Sequence, residues 1–200
     1  PVYCCTGNHD PLSSWSAEYG TLPSNTHLFS VETPSFFTFI KGDDGCDRRD
    51  DAGDGVRGAH NAVSASGTHN APSAPGAHSA ASASDPIRVV LGGRGYYARS
   101  FPQDRDVSEG ITWANCCEAL PGPYEPDFTI GVIHTGLNID PTRSPVEPRE
   151  LMRRGLDYWA CGHIHQKVLI PPDAPVIAFS GCPQGRAIQE TGDHGILLVT

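Results

Sequence analysis

The feature that most restricts how this chain can fold is an ending used three times. Three separate apolar runs, each of strand length, stop in glycine and histidine. Val2-Tyr-Cys-Cys-Thr6 leads into Gly7-Asn8-His9-Asp10, Phe128-Thr-Ile-Gly-Val-Ile133 into His134-Thr135-Gly136, and Tyr158-Trp-Ala-Cys161 into Gly162-His163-Ile164-His165. In open α/β sheets, ligands bind beyond the carboxyl ends of the strands, so these three strands would bring their imidazoles to one edge. Gly7, Gly136 and Gly162 are expected to supply the tight turns that aim those side chains. One histidine after one strand is an ordinary core or surface residue; the joint occurrence points to a site. Neutral imidazoles with an amide oxygen and a nearby carboxylate suit a transition metal such as manganese, iron or zinc.

The remaining pattern supports the same architecture. Apolar runs at residues 35–40, 87–91, 176–179 and 196–199 read as further strands, and residues 107–120 and 148–154 as helices. Gly155 stands where a helix terminator belongs. Trp15 and Tyr19, four apart, predict one face of a short helix over the sheet. The expected fold class is α/β, a layered β-sandwich flanked by helices.

Composition breaks sharply between residues 42 and 85. An acidic Asp/Gly/Arg stretch is followed by a nine-residue motif that begins at Gly58, Gly67 and Gly76 and places His60, His69 and His78 at the same offset. Its one large apolar residue is Val63, too little to offset a backbone ordering cost of about 1–2 kcal/mol per residue. Residues 42–85 are therefore expected to be a disordered low-complexity insertion in a core made of residues 1–41 and 86–200. The runs that flank it predict a hairpin, whose tip tolerates added length because loop closure grows only logarithmically. The three repeat histidines read as a slipped repeat in a solvated loop.

Charge and cysteine usage bound the function. Fourteen basic residues against 23 acidic ones leave a formal charge of −9, which argues against binding nucleic acid through a basic surface alone. Seven cysteines, with two adjacent pairs and no C-x-x-C, favour neither a disulfide framework nor a structural zinc site, and a reducing cytoplasm is expected. No run approaches the roughly 20 apolar residues of a membrane-spanning helix. The chain opens on Pro1 and closes within Ile196-Leu-Leu-Val-Thr200, both inside strand-like runs, so a fragment truncated at the N-terminus is expected.

Gly7-Asn8-His9-Asp10, Gly131-Val-Ile-His134-Thr and Gly162-His163-Ile-His165 resemble, in order, the last three motifs of the calcineurin-like metallophosphoesterases. The tail Phe179-Ser-Gly-Cys-Pro-Gln-Gly-Arg186, with Glu190, Gly192 and Gly195, further resembles the SbcD/YhaO-type DNA repair exonucleases. The resemblance implies that Asn8, His134 and His163 serve one divalent metal and His165 another. It also implies that His9 is catalytic, with Asp10 orienting its ring. The family's Asp-x-His and bridging Asp would lie upstream of Pro1, so two divalent ions are implied for the full-length parent, manganese first and iron or zinc next. This fragment is expected to hold at most one of them firmly and to be weakly active or inactive.

The implied reaction is two-metal phosphodiester hydrolysis, in which cations carry most of the phosphate recognition and a net negative protein can still cleave a polyanion. DNA is the implied substrate, a coiled-coil ATPase of the SbcC type the implied partner, and a homodimer is compatible. A phosphatase or small-molecule phosphodiesterase on the same scaffold, or a non-catalytic remnant, is the alternative. Arg186 is read as a phosphate contact or a surface ion pair. Arg94, Tyr96 and Tyr97 are read as a strand-end turn with packed aromatics in preference to a nucleic-acid groove.

Overall fold

The computed structural model describes residues 1–15, 21–41, 86–174, 176–185 and 187–200. The chain divides into two compact units, Pro1–Phe39 with Arg88–Thr200, and Ile40–Ile87. The proposed insertion at 42–85, with Cys46 and the three repeat histidines, lies outside the described residues, as do Tyr19 and Arg186. The site and its supports belong to the first unit.

In chain order the elements are β1 (Val2–Cys4), a 3₁₀ turn (Leu12–Ser14), β2 (Thr26–Leu28), β3 (Ser35–Lys41), β4 (Ile87–Arg94), α1 (Trp113–Ala119), β5 (Phe128–His134), α2 (Pro148–Arg153), β6 (Tyr158–Gly162), β7 (Val168–Ile170) and β8 (Ile177–Phe179). Six strands form one sheet in the order β3-β4-β5-β6-β8-β7, and β1 and β2 form a separate parallel pair. Neighbours from β4 through β8 run parallel, while β7 runs antiparallel to β8. The sheet is therefore mixed, in an α/β chain with few helices. Parallel neighbours need long crossovers, and α1 and α2 occupy those between β4, β5 and β6. Because β4, β5 and β6 share a direction, their C-terminal residues Arg94, His134 and Gly162 emerge at one edge. No helix among the described residues is long and apolar enough to cross a membrane.

One aromatic organises the sheet's core. Trp159 on β6 is the register partner of Gly131 on β5 and is fully buried. A Cβ at Gly131 would stand 2.2 Å from the Trp159 ring, so glycine there is what lets the indole lie across the neighbouring strand. The indole N–H donates to the Leu151 carbonyl on α2 at 3.2 Å, which ties helix to sheet. Val90, Ile111, Cys116, Ile133, Leu151, Ile177 and Phe179 belong to the same buried cluster.

Several boundaries differ from the sequence expectations for physical reasons. The helix expected over 107–120 forms only at Trp113–Ala119. Gly110 adopts φ +78°, and Thr112 then caps the helix by accepting the Asn115 N–H. The second helix matches more closely, with Pro148 in its first turn and Gly155 at φ +79° just past its end. The run at 196–199 is no strand: Ile196 and Leu198 are 85% and 87% exposed, and among the described residues no neighbouring strand receives them. Near Trp15 only the 3₁₀ turn Leu12–Ser14 forms among the described residues. As expected, β3 and β4 are hydrogen-bonded neighbours. Tyr96 is buried and Arg94 is 5% exposed, its guanidinium bonded to the Glu32 carbonyl, so that pair packs; Tyr97 alone is exposed.

Candidate metal centre

Two of the three histidine-bearing strands, β5 and β6, deliver their ends directly to one sheet edge. The third, β1, belongs to the other sheet, and its loop reaches the same edge by a specific tether. Thr6 is buried; its hydroxyl donates to the Tyr96 carbonyl at 2.8 Å and lies 2.8 Å from the Tyr96 N–H. Tyr96 follows β4, so this pairing fixes residues 6–8 beside the ends of β4 and β5. Gly95 makes the approach possible, because a Cβ there would meet the Thr6 hydroxyl at 2.5 Å.

The result is a cavity of about 350 Å³ lined by Asn8, His9, Asp10, His134, His163 and His165. All six side chains singled out from the sequence meet there. His134 Nε2 lies 2.7 Å from Asn8 Oδ1, which sets the imidazole nitrogen and the amide oxygen side by side. The His134 and His163 rings meet edge to face, with centroids 5.2 Å apart. Tyr96 closes the far side of His134, edge to face at 5.3 Å. Asn8 is buried, while His9 and Asp10 are exposed at the mouth.

The glycines act differently from the tight turns expected of them. Positive φ is absent at Gly7, Gly136 and Gly162; it falls instead on Leu137, at φ +51°, and on His163 itself, at φ +103°. Such strain on a non-glycine residue persists where surrounding structure enforces it. Gly7 instead makes room: a Cβ there would stand 2.5 Å from His134 Cε1, and one at Gly162 3.2 Å from His134 Nδ1. The imidazole lies in a slot between two bare backbones. Asp10 accepts the Gly7 N–H at 3.1 Å, and among the described residues no hydrogen bond joins it to the His9 ring.

One functional residue escaped the sequence reading. His163 Nε2 donates to Asp140 Oδ2 at 2.9 Å, which leaves Nδ1 with a lone pair for a ligand. A carboxylate behind a histidine in this way fixes the tautomer and raises the ring's basicity. Asp140 is held by its other oxygen, which accepts the Thr142 hydroxyl and N–H. The Thr142 hydroxyl, with help from His163, lowers the Asp140 carboxyl to about 2. The loop folds back because Gly136 has no side chain; a Cβ would fall 2.0 Å from the Asp140 carbonyl oxygen. Only that glycine hinted at the arrangement in sequence.

Electrostatics favour neutral donors here. Burial first, then the neighbouring His163, push the His134 imidazole down to about 4. At neutral pH it offers a free base, as metal coordination requires. An amide oxygen and two imidazoles, one backed by a carboxylate, fit a divalent transition metal. His165 lines the same cavity, but its Nδ1 is directed to the Glu190 carboxylate.

Comparison with known proteins adds one finding. A curated relative from Bacillus subtilis (strain 168), the uncharacterized metallophosphoesterase YhaO, is 39% identical over 75 residues, covering 36% of this chain and 18% of its own length. The match thus spans less than a fifth of that relative. No family model and no solved structure matches the chain. Over those 75 residues the chain is thus similar to a protein named as a metallophosphoesterase.

Proposed function

We propose that this chain carries the phosphodiester-cleaving site of a metal-dependent nuclease, and that linear DNA is its substrate. The observation that carries the reading is the convergence of Asn8, His134 and His163 on one cavity from three separate strand ends, with His9 at its mouth. Asn8 Oδ1 and the two imidazoles would hold a divalent ion, manganese first, which supplies neutralisation of the charge that develops on the phosphoryl oxygens. His9, exposed and unencumbered by Asp10, reaches the cavity to protonate the departing oxygen. Asp10 acts one step back: by accepting the Gly7 N–H it holds the turn that presents both Asn8 and His9. Asp140 keeps His163 in the tautomer whose Nδ1 is available.

The finer parts of the reading rest on motif resemblance and on the name of the YhaO relative. They comprise the nuclease branch, a role in DNA repair, a layered sandwich fold, cytoplasmic residence and a coiled-coil ATPase partner. In that reading the donors of this chain account for one firmly held ion, with His165 serving a second in the full-length parent. A phosphatase on the same scaffold would use the same donors. The discriminating experiment incubates the protein and a full-length version with manganese and either end-labelled linear DNA or para-nitrophenyl phosphate. Release of nucleotides, abolished by His9→Ala with metal binding retained, is the expected result. Turnover of the small ester alone would refute the nuclease assignment, and loss of metal in His9→Ala would refute the role given to His9.

A further inference from the structure

At the rim of the cavity, the segment after β8 folds back over His165 and brings together side chains that no sequence spacing connects. His165, Cys182 and Glu190 each contribute one donor atom, imidazole nitrogen, thiol sulfur and carboxylate oxygen, and these atoms all lie within 4.8 Å of one another. We propose that they form a thiolate-containing site for zinc or a similar thiophilic divalent ion, separate from the Asn8/His134/His163 donors; because it takes His165, it stands in place of the second-ion role that the hydrolytic reading gives that residue.

The backbone around the trio is built to hold it. The Cys182 N–H donates to the His165 carbonyl at 3.1 Å, so the cysteine is locked to the strand end that bears the histidine. This approach requires Gly181, at φ +79°, where a Cβ would stand 2.7 Å from that same carbonyl. From the other side His165 Nδ1 meets the Glu190 carboxylate directly. His194 then clasps the two outer donors. Its Nδ1 lies 3.2 Å from the Cys182 carbonyl and 3.5 Å from Cys182 Sγ, and its Nε2 lies 3.2 Å from the Glu190 carbonyl. Gly185 admits the clasp, since a Cβ there would fall 2.9 Å from the Glu190 carbonyl.

The chemistry selects the ion. Zinc binds thiolate at about 2.3 Å and imidazole or carboxylate at about 2.0–2.2 Å, so a tetrahedral ion sets its donors about 3.5 Å apart. The trio reaches that spacing with donor shifts of about 1 Å, within the range of side-chain rotation. A thiolate beside an imidazole and a carboxylate prefers zinc over manganese or magnesium, for which thiolate is a poor ligand. Three protein ligands leave a fourth position for water. On binding, the Cys182 thiol proton passes to solvent and the thiolate takes its place on the ion.

Cobalt(II) reports the site directly, because thiolate ligation produces a near-ultraviolet charge-transfer band that imidazole and amide donors cannot give. The chelator-stripped full chain is titrated with cobalt and then zinc, alongside Cys182→Ser, Glu190→Gln and Asn8→Ala, each checked for folding by circular dichroism. The expected result is a charge-transfer band in the parent and in Asn8→Ala, displaced by zinc and absent in Cys182→Ser. Glu190→Gln should retain the band with affinity weakened at least about tenfold. A band that survives Cys182→Ser, a band lost in Asn8→Ala, or no band in the folded parent overturns the proposal. Failure of DNA cleavage leaves this result untouched, so the two readings fail separately.

Discussion

Substituting Gly7 with alanine tests how the site is assembled, because the side chain it would disturb is not its own. The new Cβ would stand 2.5 Å from His134 Cε1 and 2.6 Å from Nδ1, about 1 Å inside ordinary contact. The ring has little room to retreat, with Tyr96 packed edge-on against it. A displacement near 1 Å stretches the 2.7 Å contact to Asn8 beyond hydrogen-bonding range. Overpacking of this kind costs about 1–3 kcal/mol, and the lost hydrogen bond about 1 kcal/mol more. For a chain of this size that total lowers the melting temperature by roughly 4–16 °C. Manganese affinity should fall by about 10–100-fold, because a donor is moved without being removed. Gly195→Ala is the control: its Cβ meets nothing within 4 Å, and the change should stay within about 0.5 kcal/mol. Thermal melts with calorimetric manganese titration measure both effects. A Gly7→Ala protein with the parent's melting temperature and affinity would show that His134 is not confined by the backbone of the Asn8 loop.

Three further outcomes follow from the same geometry. Asp140→Asn removes the charge behind His163 and should weaken manganese binding by about tenfold or more while leaving helix and sheet content unchanged in circular dichroism. In metal-free protein, His134 titrates at about 4 when folded and near 6.5 when unfolded. Between those values the unfolded chain binds the extra proton, so stability should fall by up to about 3 kcal/mol as pH drops from 6.5 towards 4. Urea melts at several pH values should show this slope in the parent and lose it in His134→Gln. Burial raises the Cys116 thiol to about 12, so its thiolate fraction at pH 8 is about a thousandfold below that of an ordinary cysteine. Cys161, raised by the same cause, should likewise resist iodoacetamide until the protein unfolds, as peptide mass spectrometry would record.

What the sequence revealed followed from how locally each feature is determined. The ends of β5 and β6 were legible because an apolar run and the histidine that stops it are adjacent in the chain. The terminator Gly155 was legible because its left-handed φ is a property of one residue. The three-residue strands β2 and β7 left no periodic trace, since their pairing depends on partners elsewhere in the chain. The first helix was read too long because residues 107–111 are apolar enough to pack as Val107 and Ile111 do, yet Gly110 turns the chain before the cap at Thr112. Residues 196–199 have a strand's composition without a neighbour to pair with among the described residues.

At the site, the donor residues were visible and their supports were not. Asn8, His9, His134, His163 and His165 stand in short motifs, whereas Asp140 is 23 residues from the ring it holds. The Thr6–Tyr96 tether spans 90 residues and joins two sheets. Absence of a C-x-x-C likewise concealed Cys182, whose companions His165 and Glu190 are gathered by the fold and not by spacing. The glycines were singled out correctly as constraints, but they grant close approach, while the positive φ falls on Leu137 and His163.

The central claim is that Asn8, His134 and His163 form the metal-holding floor of the cavity. Anomalous X-ray diffraction from manganese-soaked crystals tests it most directly. The account predicts an anomalous peak within bonding distance of Asn8 Oδ1, an imidazole nitrogen of His134 and His163 Nδ1, with Asp140 still on His163 Nε2. A well-ordered cavity with no peak, or manganese bound only elsewhere on the surface, would contradict it.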